Sequence, residues 1–224
     1  PKQARRLPKA ISVEQVDKLL GAPDNRGTLG ARDRAILETL YATGVRRQEL
    51  AALKIDDIDL ENGRLMVRQG KGKRDRLLPL SERACAWIEK YLEESRFQIS
   101  RGADDGSLFI SHIGKRMHPE QMTKIVRRSI EAAEIEKPGA CHLFRHTLAT
   151  LMLEGGADLR YVQAMLGHAD ISTTQIYTRV AIGKLQEALE KSHPGAKLGR
   201  RAKVAVESDN VEDPRAAFLD ELAS

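Results

Sequence analysis

The chain has 224 residues, 41% hydrophobic and 31% charged, which predicts one soluble domain with at most an appendage and a core large enough to need no disulfide or metal. No run approaches the ~18 consecutive apolar residues of a membrane helix, and Cys85 and Cys141 form no CxxC pair or disulfide framework, so a reducing cytoplasm is the expected compartment. The net charge of +5 divides unevenly: residues 207–224 hold six acids and one base, a net of −5, which leaves residues 1–206 at +10, a basic body suited to a polyanion such as nucleic acid.

The chain starts at Pro1 rather than Met. Residues 1–10 are basic with no apolar segment behind them, so they read as a linker within a longer protein and not as a secretory signal. Ser12 followed by Gln15 predicts a capping box, opening a helix with Val13, Val16, Leu19 and Leu20 as its apolar positions. Residues 24–30 read as a loop. A second helix is expected at 31–43, with Ile36, Leu37, Leu40 and Tyr41 on one face and Gly44 just past its end. A short third helix runs over 47–53.

The apolar period then falls from 3.6 to about 2. Ile55, Ile58 and Leu60 precede Asn62-Gly63, a strong hairpin signal, and Leu65 and Val67 follow it. Gly70-Lys71-Gly72-Lys73 turns the chain into a third strand at 76–80, so a three-stranded antiparallel meander is expected. Helices resume after Ser81, with Ala84, Trp87, Ile88, Tyr91 and Leu92 as one stripe. A short strand is expected at 108–110, and Pro119 suits the first turn of the next helix. Further helices are expected at about 143–154, 159–166 and 172–190, with Gly155-Gly156 and Gly167 as stops. A basic stretch at 197–203 follows Pro194-Gly195; the acidic tail comes next, with a short helix from Asp213-Pro214 that would align Phe218, Leu219 and Leu222. The predicted fold class is mainly α with a small three-stranded antiparallel sheet.

Several familiar chemistries find no motif. There is no G-x-x-x-x-G-K-[ST] phosphate loop and no G-x-S-x-G nucleophile elbow. His142 and His146 have the i, i+4 spacing of zinc ligands, but Leu143 stands where a zinc peptidase has its glutamate base.

Three segments carry more. Residues 42–50 place Arg46 and Arg47 at a helix N-terminus, suited to gripping a phosphate. Residues 141–146 put His142 and Arg145 at i, i+3 on one helix face. Residues 166–177 put His168 at a helix stop and Tyr177 further along. Taken singly, each has a plain alternative: a solvated arginine, a helix-start histidine with a salt-bridged arginine, a packed tyrosine.

Together they resemble the catalytic domain of the tyrosine site-specific recombinases, the phage-integrase and Xer-like family. That family's order of Arg, Lys, His-x-x-Arg, His and Tyr is met by Arg46, Lys71, His142, Arg145, His168 and Tyr177. The contexts also fit: Thr43-Gly44-Val45-Arg46, Gly70-Lys71-Gly72, His142-Leu143-Phe144-Arg145-His146, Leu166-Gly167-His168 and Thr173-Thr174-Gln175-Ile176-Tyr177. The match runs over about residues 8–195. It implies a catalytic domain at 1–195, with 1–10 as linker and a helix at about 180–191 lent to a neighbouring protomer. Residues 196–224 have no counterpart, and disorder is expected there.

The resemblance also implies roles. Tyr177 would attack a DNA phosphodiester, and Arg46 and Arg145 would clamp its nonbridging oxygens. Lys71 would protonate the leaving 5′ oxygen, His142 would assist proton transfer at Tyr177, and His168 would hydrogen-bond the phosphate. Lys73 is an alternative to Lys71 as the acid. Arg47 competes with Arg46, although the Gly-x-Arg context favours Arg46. Glu49 would orient the Arg46 region, unless it is an ordinary surface glutamate. Arg47, Lys73, Arg74, Lys115 and Arg116 are the expected DNA-binding side chains. No cofactor, metal or ATP is implied. The expected partners are duplex DNA with a specific site, three further copies in a tetramer, and an N-terminal DNA-binding domain outside this chain, as in an enzyme of a mobile genetic element. The alternatives are relaxation of DNA in the manner of a type IB topoisomerase and a non-catalytic DNA-binding regulator.

Overall fold

Helix α1 (Val13–Leu20) opens as its sequence requires. Ser12 Oγ accepts from the Gln15 amide at 3.3 Å and Gln15 Oε1 accepts from the Ser12 amide at 3.0 Å, so two helix-start donors are satisfied reciprocally. A computed structural model describes residues 10–24, 27–68, 75–100, 105–137 and 139–167. The linker at 1–9, the helix expected at 172–190 and the tail lie outside the described residues.

Helix α2 (Thr28–Thr43) begins three residues earlier than the pattern predicts and ends at Gly44, whose φ of 60° is left-handed. The expected single apolar face is also too narrow, because residues 31–43 are buried on every side. Buried charges are tolerated there because each has a partner. Glu38 accepts from Arg34 at 3.0 Å and from Arg83 at 3.0 Å, and Asp33 bonds Arg32 at 2.7 Å and Arg128 at 2.5 Å. Such pairs add little net stability, but removing one member would cost about 3–5 kcal/mol. Helix α2 thus forms the central post, packed by the helices that follow.

Helix α3 (Arg47–Ala52) leads through a 3-10 turn (Ile55–Asp57) into the expected antiparallel meander, β1 (Ile58–Asp59), β2 (Arg64–Val67) and β3 (Arg76–Pro79), in the order β1-β2-β3. Asp59 pairs with Arg64, so residues 60–63 form the first hairpin loop. The Asp59 carboxylate accepts from the Asn62 amide at 2.9 Å and from Asn62 Nδ2 at 2.8 Å, while Gly63 takes the left-handed position at φ 60°.

Ser81 caps α4 (Glu82–Lys90) through the Ala84 amide at 3.2 Å. The helix continues through a π-helical segment (Tyr91–Arg96) into α5 (Phe97–Ser100). The strand expected at 108–110 does not form; among the described residues the segment makes only the single bridges Lys54–Ser107 and Ile110–Arg116. The Leu108 amide donates to the Leu53 carbonyl at 2.9 Å and the Phe109 carbonyl accepts from the Met117 amide at 3.2 Å, while side chains take other main-chain groups. Tyr91 Oη donates to the Leu108 carbonyl at 3.1 Å and accepts from the Ile110 amide at 3.3 Å, and Arg96 donates to the Ser107 carbonyl at 2.6 Å.

Helix α6 (Pro119–Ala132) carries Pro119 at its first position, α7 (Cys141–Glu154) starts two residues before the expected 143, and α8 (Leu159–Leu166) stops at Gly167 with φ 64°. One hydrophobic core joins α1 to α8 and the sheet. Among the described residues no helix is long and apolar enough to cross a membrane.

Candidate active site

The site is built where the end of α2, the start of α3, the middle of α7 and the end of α8 converge. Gly44 turns the chain out of α2. A Cβ at this position would lie 2.9 Å from Leu166 Cδ2 and 3.1 Å from Leu148 Cδ2, so α7 and α8 close directly onto the glycine. Two residues later Arg46 is the cap residue of α3. Its amide donates to Glu49 Oε2 at 2.8 Å, and its guanidinium donates to Glu49 Oε1 at 2.9 Å and to the Gly167 carbonyl at 3.3 Å. Arg145 reaches the same place from α7, donating to the Gly44 carbonyl at 2.9 Å and to the Leu166 carbonyl. The last carbonyls of a helix lack intrahelical partners and carry the negative end of its dipole, so two cations are well placed there.

A third guanidinium lies beneath them. Arg76, the first residue of β3, is 4% exposed and donates two parallel bonds to Glu49, to Oε1 at 2.9 Å and to Oε2 at 2.6 Å. Burial tends to raise the Glu49 carboxyl, but hydrogen bonds from Arg76 and Arg46 and the Arg76 charge outweigh it and hold it at about 2. Burial pushes Arg145 down to about 10, helped by the positive charges of Arg46 and Arg76 and partly offset by Glu49. Three guanidinium groups and the Glu49 carboxylate therefore form one patch, net positive at neutral pH, which suits a bound anion.

His142 is exposed on the first turn of α7, one turn before Arg145, while its neighbour Cys141 is buried and its thiol is pushed up by that burial. Arg47 is exposed and donates to Thr123 Oγ1 of α6 at 3.3 Å. Arg116 is exposed with its Nε on the Ala51 carbonyl at 2.9 Å, and Lys115 beside it is exposed. The structure thus brings Arg46 and Arg145 together, sets His142 at the surface nearby, and places Arg47, Lys115 and Arg116 on the exposed side around α3 and the start of α6. Lys71, Lys73, Arg74, His168 and Tyr177 lie outside the described residues.

Arg76 is absent from the sequence-derived site. A signal was available: strand alternation puts it on one face with Leu78 and Leu80, both buried. A charge on that inward row needs a partner, and that partner is Glu49.

The arginine pair at the helix end is reached through Thr43-Gly44-Val45-Arg46 and His142-Leu143-Phe144-Arg145. The profile of the phage integrase family matches residues 9–183, and the chain belongs to that family. It is similar to the tyrosine recombinase XerC 2 of Ralstonia nicotianae, with 44% identity over 223 residues, 99% of this chain and 63% of that protein. Among solved structures it is similar to XerA recombinase, with a TM-score of 0.66 and 34% identity over 87% of this chain and 67% of that one. It is also similar to the XerH site-specific recombinase bound to its difH substrate, with a TM-score of 0.64 and 30% identity over 82% of this chain and 54% of that one. The family resemblance and the mainly helical fold read from the sequence are both borne out. The chain spans 63% of the length of the XerC 2 relative.

Proposed function

We propose that the chain is the catalytic part of a site-specific DNA recombinase that cleaves and rejoins duplex DNA through a 3′-phosphotyrosyl intermediate. The observation that carries this reading is the meeting of Arg46 and Arg145 on the carbonyls at the end of α8, with Arg145 also on the Gly44 carbonyl at the end of α2. These acceptors hold the guanidinium groups side by side, and a phosphodiester's nonbridging oxygens would replace them as acceptors. Tyr177 Oη attacks phosphorus, the bond to the 5′ oxygen breaks, and Lys71 or Lys73 supplies the proton that oxygen takes up. His142 assists removal of the tyrosine proton, and His168 hydrogen-bonds the phosphate. The phosphotyrosine keeps the energy of the broken bond, so a 5′ hydroxyl from a second duplex reverses the step without ATP and exchanges the strands.

The similar XerH is a site-specific recombinase seen with its difH substrate both before and after cleavage, which favours recombination over simple relaxation or pure regulation. Arg47, Lys73, Arg74, Lys115 and Arg116 bind the backbone around the site. The working form is a tetramer on two sites in the cytoplasm, each protomer lending the helix at about 180–191 to its neighbour. The domain occupies 1–195, and residues 3–9 join it to a further DNA-binding domain. A mobile genetic element is the setting we favour.

The test uses a pool of nicked duplexes from the host DNA, in which a short fragment diffuses away after cleavage and traps the covalent complex. Wild type should give a protein–DNA adduct on a denaturing gel, Tyr177→Phe none, and Arg145→Ala one formed about 10²–10³-fold more slowly. A protein that binds these duplexes but forms no adduct would instead be a regulator.

A further inference from the structure

Arg76 is a costly residue for its position. Leu78 on the same face of β3 and Leu80 just beyond the strand are buried in the core, yet Arg76 is a guanidinium at 4% exposure. Its Nε is buried with no hydrogen-bond partner among the described residues, so its desolvation is uncompensated. Replacing a buried ion pair by apolar groups is often neutral or stabilising, so stability alone gives little reason for a guanidinium here.

Geometry gives one. The two bonds from Arg76 occupy one side of both Glu49 oxygens, at 2.9 and 2.6 Å. The amide and NH1 of Arg46 take those oxygens from another side, at 2.8 and 2.9 Å. A carboxylate held by four donors cannot rotate without breaking several of them, so the direction of the Arg46 guanidinium follows from Arg76. The Arg76 guanidinium also faces Gly167: a Cβ added there would be 3.3 Å from each of Arg76 Cζ, Nε and NH1. Gly167 precedes His168 in the chain, and Arg76 opens β3 three residues after Lys73.

We propose that Arg76 is a positioning residue for strand cleavage: through Glu49 it aims Arg46 at the phosphate. This rests on the recombinase reading above. A lysine keeps the charge but cannot form the two parallel bonds, and a leucine fits the apolar row while removing both. Neither change alters Arg46 or Arg145, the two groups proposed to meet the phosphate.

The experiment measures adduct formation on the nicked duplex at saturating DNA, DNA affinity at matched salt, and thermal unfolding, for wild type, Arg76→Lys, Arg76→Leu, Glu49→Gln and the Arg76→Lys/Glu49→Gln double variant. Rates are normalised to folded protein. The single variants should bind DNA as wild type does and cleave about 100-fold more slowly, the scale of a small misplacement in an active site. The double variant should be no slower than the slower single, because both break one linkage. Wild-type cleavage by folded Arg76→Lys, a rate loss matched by lost DNA affinity, or losses that multiply in the double variant would each overturn the proposal. A wild type that binds but forms no adduct overturns the recombinase reading and this one with it; an active wild type beside an equally active Arg76→Lys overturns this one alone.

Discussion

Glu49→Gln removes one negative charge from beneath Arg46, Arg76 and Arg145 while keeping the side chain's shape. Its cost can be worked out in two ways. The Glu49 carboxyl sits at about 2 against an ordinary 4.5, and at 1.36 kcal/mol per unit this difference is about 3 kcal/mol of folding stability. Independently, Glu49 and Arg76 side chains are 8% and 4% exposed, so water cannot replace the lost partner, and breaking a buried pair costs about 3–5 kcal/mol. Because the folded carboxyl is depressed, its contribution is complete above pH 4.5 and is lost as pH falls from 4.5 toward 2. Urea unfolding of wild type and Glu49→Gln at pH 7 should differ by about 3 kcal/mol, and by about half of that or less at pH 3. A difference below about 1 kcal/mol at pH 7, or one equally large at both pH values, would refute the reasoning that the ionised carboxylate anchors Arg46 and Arg76.

Two further changes separate stability from chemistry. Gly44→Ala should cost at least about 1–2 kcal/mol in urea unfolding for its left-handed backbone; it should also slow adduct formation, because the new Cβ would press on Leu166, whose carbonyl holds Arg145. Ser12→Ala removes one capping bond of α1 and should cost about 1 kcal/mol in the same unfolding assay, with the adduct rate per folded molecule unchanged.

What the sequence made legible was chiefly local. The Ser12–Gln15 box, Gly44 and Gly167 as helix stops, and Pro119 at a helix start could all be read because each depends on residues within one turn. Arg46 and Arg145 were legible as a pair through their motifs. Less legible was whatever depends on a distant partner. Helix α2 looks one-sided because its charged positions resemble a solvent face, whereas Arg83 and Arg128 arrive from other helices to bury Glu38 and Asp33. Residues 108–110 have the apolar character of a strand, but Tyr91 and Arg96 claim the carbonyls around them. Alternation turned Arg76 inward; nothing along the strand said that Glu49 would be waiting.

Besides Glu49 on Arg46, the atoms that meet Arg46 and Arg145 are the carbonyls of Gly44, Leu166 and Gly167, and every residue type carries a carbonyl. That part of the arrangement is recorded in the path of the backbone. Asp158, Leu159 and Arg160 are exposed on α8, and exchange of Leu159 or Arg160 would leave those acceptors where they are. The surface of α8 is free to diversify toward different DNA or protein neighbours, while the two left-handed glycines that end α2 and α8 keep the clamp beneath it unaltered.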